Sequence, residues 1–434
     1  MRLGIVVPAL DEAARIAAAL DALAPLRAAG HHVVVVDGGS RDETVEQARP
    51  RADRVLVAPR GRAVQMNVGA HAARGSVLLF LHADVSLPDG AAAAIERAVA
   101  SGAQWGRFDV TLEGRSRWLP LVAAGMNTRS AATGICTGDQ ALFVGRDAFE
   151  AVGGFPAIAL MEDIALSARL RARFGPPARL RERVVASGRR WERHGALRTI
   201  ASMWRLRHAY WRGADPDDLA RRYYGISPAS RPVLQVFAKA PAPGRVKTRL
   251  AQAIGAEEAT RAYVALAEHT LGVAAAARRA GVVEAVELWV EPGAPAGSFD
   301  QWMSEFDVPV REQRGADLGE RMHAALRDAL TRRRSALLIG TDVPGFDVPY
   351  LAQAAAALGS HDAVIGPAED SGYVLIGLAR DADAFSGIAW STRGVLDATR
   401  ARLRDACLRW HELPPLWDVD THDDWQRWRQ EMAA

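Results

Sequence analysis

The chain has 434 residues, more than one ordinary domain at roughly 100–200 residues each, so two or three domains are expected. Apolar residues make up 49% and charged residues 24%, which excludes global disorder. Two cysteines and no CxxC exclude a disulfide framework and a structural zinc cluster. The net charge of +3, with no basic run interleaved with aromatics, makes nucleic acid a poor partner. No stretch of 18 or more uncharged apolar residues occurs, and MRLGIVVPALDE reads as a strand followed by acid, so a cytoplasmic protein is expected.

In chain order, RLGIVVPAL reads as a strand, DEAARIAAALDALAPLRAA as a helix and HHVVVVD as a strand. RDETVEQAR (helix), RVLVA (strand), RAVQMNVGAHAAR (helix) and VLLFLHAD (strand) follow. Near-continuous Val/Leu runs indicate strands buried on both faces of a parallel sheet. Such strand–helix alternation gives a doubly wound α/β domain, with ligands at the carboxyl ends of its strands. WGRFDVTL and TGDQALFVG are further strands, and LMEDIALSARLRARF is a helix. An Arg- and Trp-rich region then runs into Pro, Gly and Ser, predicting a linker at 225–231 between domains 1–224 and 232–434. The second half restarts with PVLQVFAKAP. Helices are expected near 244–253 and 257–280, with later strands VEAVELWV, ALLIGTD, HDAVIGPAED and GYVLIGL. VLLFLHAD and ALLIGTD each deliver an acid, Asp84 and Asp342, at a strand end, which suggests two related α/β domains.

No Gly-Lys dipeptide, strand-borne GxGxxG, HExxH or GxSxG occurs, which removes the Walker, dehydrogenase, zincin and serine-hydrolase readings. Asp37 in DGGSRDET either holds a ribose hydroxyl or base edge, or caps an Asx turn. Asp84 in LHADVSLP is placed to hold Mg²⁺ or Mn²⁺ against a diphosphate, or to cap a helix, while His82 either adds a ligand or only packs. Glu162 and Asp163 begin a helix, where acids complement the macrodipole or serve a hydroxyl nucleophile as base. Arg189, Arg190 and Trp191 clamp an anionic leaving group or cover apolar surface. Of 54 basic residues only Lys239 and Lys247 are lysine, both in AKAPAPGRVKTRL. Lys247 is expected as a compact charge for phosphate near a helix start, unpaired, so that its removal costs the fold nothing.

In combination and order, PALDE, VVVVDGGS, GRAVQMNVGA, LHAD, GDQALFV, GGFP with MEDI, and RRW resemble a family 2 glycosyltransferase of the GT-A fold. They are most similar to the bacterial subgroup associated with arsenosugar biosynthesis. The resemblance covers about residues 1–224. It implies that Glu12, Asp37 and Arg62 hold a nucleotide-sugar donor, Asp84 a divalent metal, and Asp163 of the Glu162–Asp163 pair the base role. It also implies a donor role for Arg190 and Trp191; Ser187 stands where processive members carry Gln, which argues against a polymer synthase. VFAKAPAPGRVKTRL, LGERM, GTDVPGF, GPAEDSGYVLIGL, WST and DVDTHDD, over about 232–425, resemble a GT-A-like group. That group is similar in fold to molybdenum-cofactor and 2-phospholactate guanylyltransferases. This second resemblance implies a nucleoside triphosphate on Gly244, Arg245, Lys247 and Arg249, metal on Asp342 and Asp420, and substrate at Asp370 and Tyr373. Ser371 departs from the usual DGGY.

Two tandem GT-A domains are therefore expected. The first would move a sugar from a nucleotide-diphosphate donor to a small hydroxyl acceptor by inversion, without processivity. The second would be a nucleotidyltransferase. The alternatives are nucleotidyl transfer as the main activity, or a catalytically silent nucleotide-binding second domain.

Overall fold

A computed structural model describes residues 1–224, 231–332, 335–390, 392 and 394–433, without the side chains of 190, 193, 194, 196, 197, 224, 432 and 433. The chain divides into two compact units, Met1–Ala229 and Ser230–Ala434. Apart from Arg231, the expected linker lies outside the described residues. Among the described residues no helix is long and apolar enough to cross a membrane.

The first unit is built on strands β1 (Leu3–Ala9), β2 (His32–Asp37), β3 (Arg54–Val57), β4 (Val77–Phe80), β5 (Val85–Ser86), β6 (Trp105–Glu113), β7 (Leu142–Gly145) and β8 (Ala178–Ser187). They form one sheet in the order β3-β2-β1-β4-β7-β6-β8-β5. Strands β3, β2, β1 and β4 are parallel, and β7 enters antiparallel between β4 and β6. The continuous apolar runs have the burial that pattern demands: Val33 through Val36 are fully covered, as are Ile5 and Val6. The helix Arg62–Ala72 packs so closely on this sheet that a Cβ at Gly69 would lie 2.2 Å from Val6 Cγ1. From the same helix, Gln65 Nε2 donates to Ala9 O and Val36 O, each at 2.8 Å. One buried amide thus ties together the carboxyl ends of β1 and β2, where ligand loops leave the sheet.

The second unit uses β9 (Val233–Ala238), β10 (Ala285–Val290), β11 (Val310–Glu312), β12 (Ala336–Ile339), β13 (Ala363–Pro367), β14 (Tyr373–Leu378) and β15 (Trp410–Glu412). Its order, β11-β10-β9-β12-β14-β13-β15, repeats that of the first unit strand for strand up to β8. An antiparallel strand, β14, again stands beside the fourth parallel one. The molecule is therefore α/β with two mainly parallel sheets of one topology. Asp84 and Asp342 follow equivalent strands.

Several elements depart from the sequence expectation, and two of them contribute to the site described below. The helix Leu119–Thr133, with Pro120 in its first turn and Gly134 at φ +68 after its end, forms where no element is expected. TGDQALFVG is not one strand: Gly138–Gln140 is a single 3₁₀ turn closed by a Thr137–Gln140 capping box, and only Leu142–Gly145 is extended. Strand β6 also carries two buried charges, Arg107 and Asp109, which pair with each other. Arg179 joins them at 2.7 Å, so neither buried charge is left alone.

Because Gly69 has no room for a methyl group, Gly69→Ala is expected to destabilise the chain by ~1–3 kcal/mol through overpacking. Equilibrium urea unfolding checks this; an unchanged midpoint would mean the helix can lift from the sheet without cost.

Candidate functional site

The loops at the carboxyl ends of β1 and β2 are stapled to each other. Asp11 N–H donates to Ser40 Oγ at 2.8 Å, Glu12 N–H to Thr44 Oγ1 at 2.8 Å, and Ala13 N–H to Asp42 Oδ2 at 3.0 Å. Asp37 is spent inside this structure. Only 2% exposed, it accepts the N–H groups of Gly39 and Ser40 at 2.8 Å each, as well as the Ser40 hydroxyl. This is the Asx turn, and Asp37 does not line the cleft described next.

A cleft of about 690 Å³ opens beyond these loops. Its lining includes Glu12, Arg62, His82, Asp84, Glu162, Asp163, Arg189 and Trp191. Five of the seven residues expected at the base and donor sites, together with Asp84, are therefore brought together. The Arg190 side chain lies outside the described ones. The neighbouring Arg189 reaches the site, with Nη2 3.9 Å from Glu12 Oε2. Asp84 stands in the turn between β4 and β5, and its carbonyl accepts the Ser187 N–H at 3.1 Å. Burial, then the Asp84 charge, pushes the Glu12 carboxyl above its usual range.

Glu162 and Asp163 occupy the first turn of the helix Glu162–Phe174, behind Met161 at φ +72. Asp163 Oδ2 accepts the Gly138 N–H at 3.1 Å and Oδ1 the Ile164 N–H at 2.7 Å. A Cβ at Gly138 would lie 2.1 Å from the His82 ring, so a larger residue there would displace His82. His82 is not merely packed: it lines the cleft, with Nδ1 3.7 Å from Asp139. Glu162 is 6% exposed, and burial together with the adjacent Asp163 charge pushes its carboxyl up to about 7. Arg62 and His82 oppose that shift. The sequence reading missed Arg129 and Arg207, which also line the cleft.

Hard oxygen donors suit Mg²⁺ or Mn²⁺, and Asp84 with Glu12 supplies them beside open space for a diphosphate. Among the described residues, no group of three or more His, Cys, Asp or Glu side chains is arranged to hold a metal by itself. An ion here would need substrate oxygens to complete its shell, as Mg²⁺ commonly does.

In the second unit the expected residues converge differently. Lys247, at φ +47 before the helix Thr248–Ile254, is 4% exposed at its side chain. Its Nζ lies 2.9 Å from Asp342 Oδ1 and 3.3 Å from Asp420 Oδ1, and donates to Val419 O at 2.5 Å. The expectation of an unpaired cation is thereby overturned: the chain folds back to enclose it. Arg249 meets Asp420 at 3.4 Å, and Arg245 lies 3.9 Å from Glu291. Gly244 adopts φ +77 in the same loop. Asp370 accepts the Gly372 N–H at 3.0 Å, and Ser371 takes φ +76, a conformation easier for glycine. The Tyr373 hydroxyl turns to Met322 Sδ at 3.8 Å, against the core rather than the acids. Asp418, unforeseen in the sequence, is pushed up to about 6 by burial and then by the Asp420 and Asp370 charges. With the Lys247 ammonium between Asp342 and Asp420, this pair does not fit a metal, and no metal step is derived from it.

Comparison with known proteins finds one family match in each unit. Residues 4–149 match the family described as glycosyl transferase family 2, and residues 273–392 match an uncharacterized protein family conserved in bacteria, DUF2064. A "PGL/p-HBAD biosynthesis glycosyltransferase" of Mycobacterium bovis (strain BCG / Pasteur 1173P2) is 40% identical over 90 residues, 19% of this chain. The match spans about a third (35%) of the length of that relative. Among solved structures, a "putative nucleotide-diphospho-sugar transferase" from Desulfovibrio desulfuricans G20 is 32% identical, with a TM-score of 0.41 over 44% of this chain and 84% of that one. Glucosyl-3-phosphoglycerate synthase from Mycobacterium tuberculosis, solved with Mn²⁺, uridine diphosphate and glucosyl-3-phosphoglycerate, is 21% identical. Its TM-score is 0.32, over 43% of this chain and 70% of that one. The first unit thus holds a segment that matches glycosyl transferase family 2, and the second unit holds one that matches DUF2064.

Proposed function

We propose that the first unit is a glycosyltransferase that moves a sugar from a nucleotide-diphosphate donor to a small hydroxyl acceptor. The observation that carries this reading is the convergence of Glu12, Arg62, Asp84, Glu162, Asp163 and Trp191 on one cleft, under a family 2 match over residues 4–149. Glu12 and Arg62 stand at the donor end, where the β1 loop leaves the sheet. Trp191 offers a flat apolar wall. Arg189, drawn toward Glu12, is a cation within reach of a departing diphosphate. Charge neutralisation of that leaving group is the chemistry that a divalent ion held by Asp84 supplies.

Asp163 takes the acceptor proton. Two backbone N–H groups fix its orientation and leave lone pairs free to face the cleft. Glu162, held high by burial, keeps the pair from carrying two full charges in an enclosed site at neutral pH. One displacement assisted by one base implies inversion at the anomeric carbon. For the second unit, the Lys247 bridge between Asp342 and Asp420 favours a nucleotide-binding module over metal-dependent nucleotidyl transfer.

Asp163→Asn is expected to lower turnover ~10²–10⁴-fold with donor affinity nearly intact, measured by nucleotide-diphosphate release and by titration calorimetry; near-normal turnover would remove the base assignment. The raised Glu162 carboxyl has a thermodynamic counterpart. Between its unfolded value near 4.5 and its folded value about 7, the native state binds the extra proton. Stability contributed by this site is therefore present at low pH and falls as pH rises through that window. Melting curves of Glu162→Gln, compared with the parent from pH 4.5 to 7.5, should show the smaller loss. Lys247→Met should lower stability by ~1–3 kcal/mol, since it leaves two half-exposed acids facing each other. Unchanged unfolding in that variant would mean that the ammonium contributes nothing to the fold.

A further inference from the structure

Two guanidinium groups line the same cleft and have no part in the transfer just described. Arg129 comes from the helix Leu119–Thr133 and Arg207 from the helix Ala196–Trp211. Arg207 is only 9% exposed. Its Nε, and Nε and Nη2 of Arg129, are buried without any hydrogen-bond partner. Neither arginine makes an ion pair among the described residues. Burial pulls the Arg129 guanidinium down to about 10, and the Arg207 charge adds to that effect, with Asp163 and Asp139 opposing it. Burial likewise lowers Arg207, while Asp163 acts in the opposite direction.

Such an arrangement is costly. Moving a cation out of water costs several kcal/mol unless an opposite charge and hydrogen bonds replace its hydration. A guanidinium serving only the fold would find carbonyls or a carboxylate inside the protein. Arg107 in this unit does so, with Asp109 and Asn127 O. One covering apolar surface would extend its head into bulk water. Arg129 and Arg207 have no such partner among the described residues, three of their nitrogens are shut away from water as well, and the two sit together facing a cleft that also presents Asp163. The planar fork of donors matches a carboxylate or a phosphate.

We propose that Arg129 and Arg207 form an anion subsite that takes a carboxylate or phosphate group of a substrate bound in the cleft. The group has two sources: the acceptor, which would then be a hydroxylated acid or phosphate ester, or the donor diphosphate. Assigning the source rests on the glycosyltransferase reading; the subsite itself does not. Leu160 and Met203, which line the same cleft, offer apolar surface to the rest of such a molecule.

Inorganic phosphate, titrated into the full chain at constant ionic strength and followed by calorimetry, tests the subsite. Saturable binding is expected, weakened at least tenfold in Arg207→Gln and in Arg129→Gln and partly retained in Arg207→Lys. Without phosphate, Arg207→Leu should melt at or above the parent temperature, because an uncompensated buried cation is removed. No saturable binding by the parent chain would overturn the proposal, as would equal binding by both Gln variants. A marked fall in the melting temperature of Arg207→Leu would also overturn it, since that marks a structural arginine. Repeating the titration with saturating uridine diphosphate and Mn²⁺ separates the sources. Unchanged phosphate affinity assigns the subsite to the acceptor, and competition assigns it to the donor. If uridine diphosphate itself fails to bind, the donor reading suffers, while the phosphate result still decides the subsite.

Discussion

Two adjacent carboxylates in an enclosed site are the constraint around which the first unit is arranged. Glu162 and Asp163 are consecutive, so covalent geometry holds them close, and burial denies Glu162 water. Several features relieve the resulting repulsion. The pair begins a helix, where the partial positive charge of the macrodipole is greatest. Gly138 N–H and Ile164 N–H bind Asp163, while Arg62 and His82 act on Glu162. The remaining tension appears as a Glu162 carboxyl near neutrality. Perturbation of this kind, in a cleft and with named partners, is characteristic of sites that move protons.

The two units share one strand order and differ in what they place at its carboxyl ends. In the first, acids and arginines face each other across open space. In the second, Lys247 closes Asp342, which follows the strand equivalent to that of Asp84, and Asp420 onto an internal ammonium. Repetition of a topology thus says little about repetition of chemistry, which resides in the loops. The interactions themselves make the difference: a buried ammonium between carboxylates stabilises a closed arrangement, whereas unpaired guanidinium groups leave an open one in need of a ligand.

Much of the frame was legible from residues alone. Valine runs such as Val33–Val36 cannot be hidden except between two layers, so the parallel sheets followed from the pattern. Asp84 and Asp342 were placed by being the acids that end such runs. Other parts lack a local signal. Arg129 and Arg207 sit in helices whose pattern reads the same whether an arginine faces solvent or a cleft. Lys247 meets Asp420 across 173 residues, and no spacing rule encodes that contact. Asp37 was balanced between ligand and turn; only the folded loop, with Gly39 and Ser40 N–H aimed at it, shows its carboxylate already engaged.

The central claim is that the cleft of the first unit binds a nucleotide-diphosphate sugar with help from Asp84. The most direct measurement is calorimetric titration of the full chain with a panel of nucleotide sugars, with Mn²⁺ and with chelator, in parallel with Asp84→Asn. The account predicts that at least one nucleotide sugar binds with Mn²⁺, and that chelator and Asp84→Asn each weaken binding at least tenfold. Binding of none, or binding indifferent to both metal and Asp84, would contradict it.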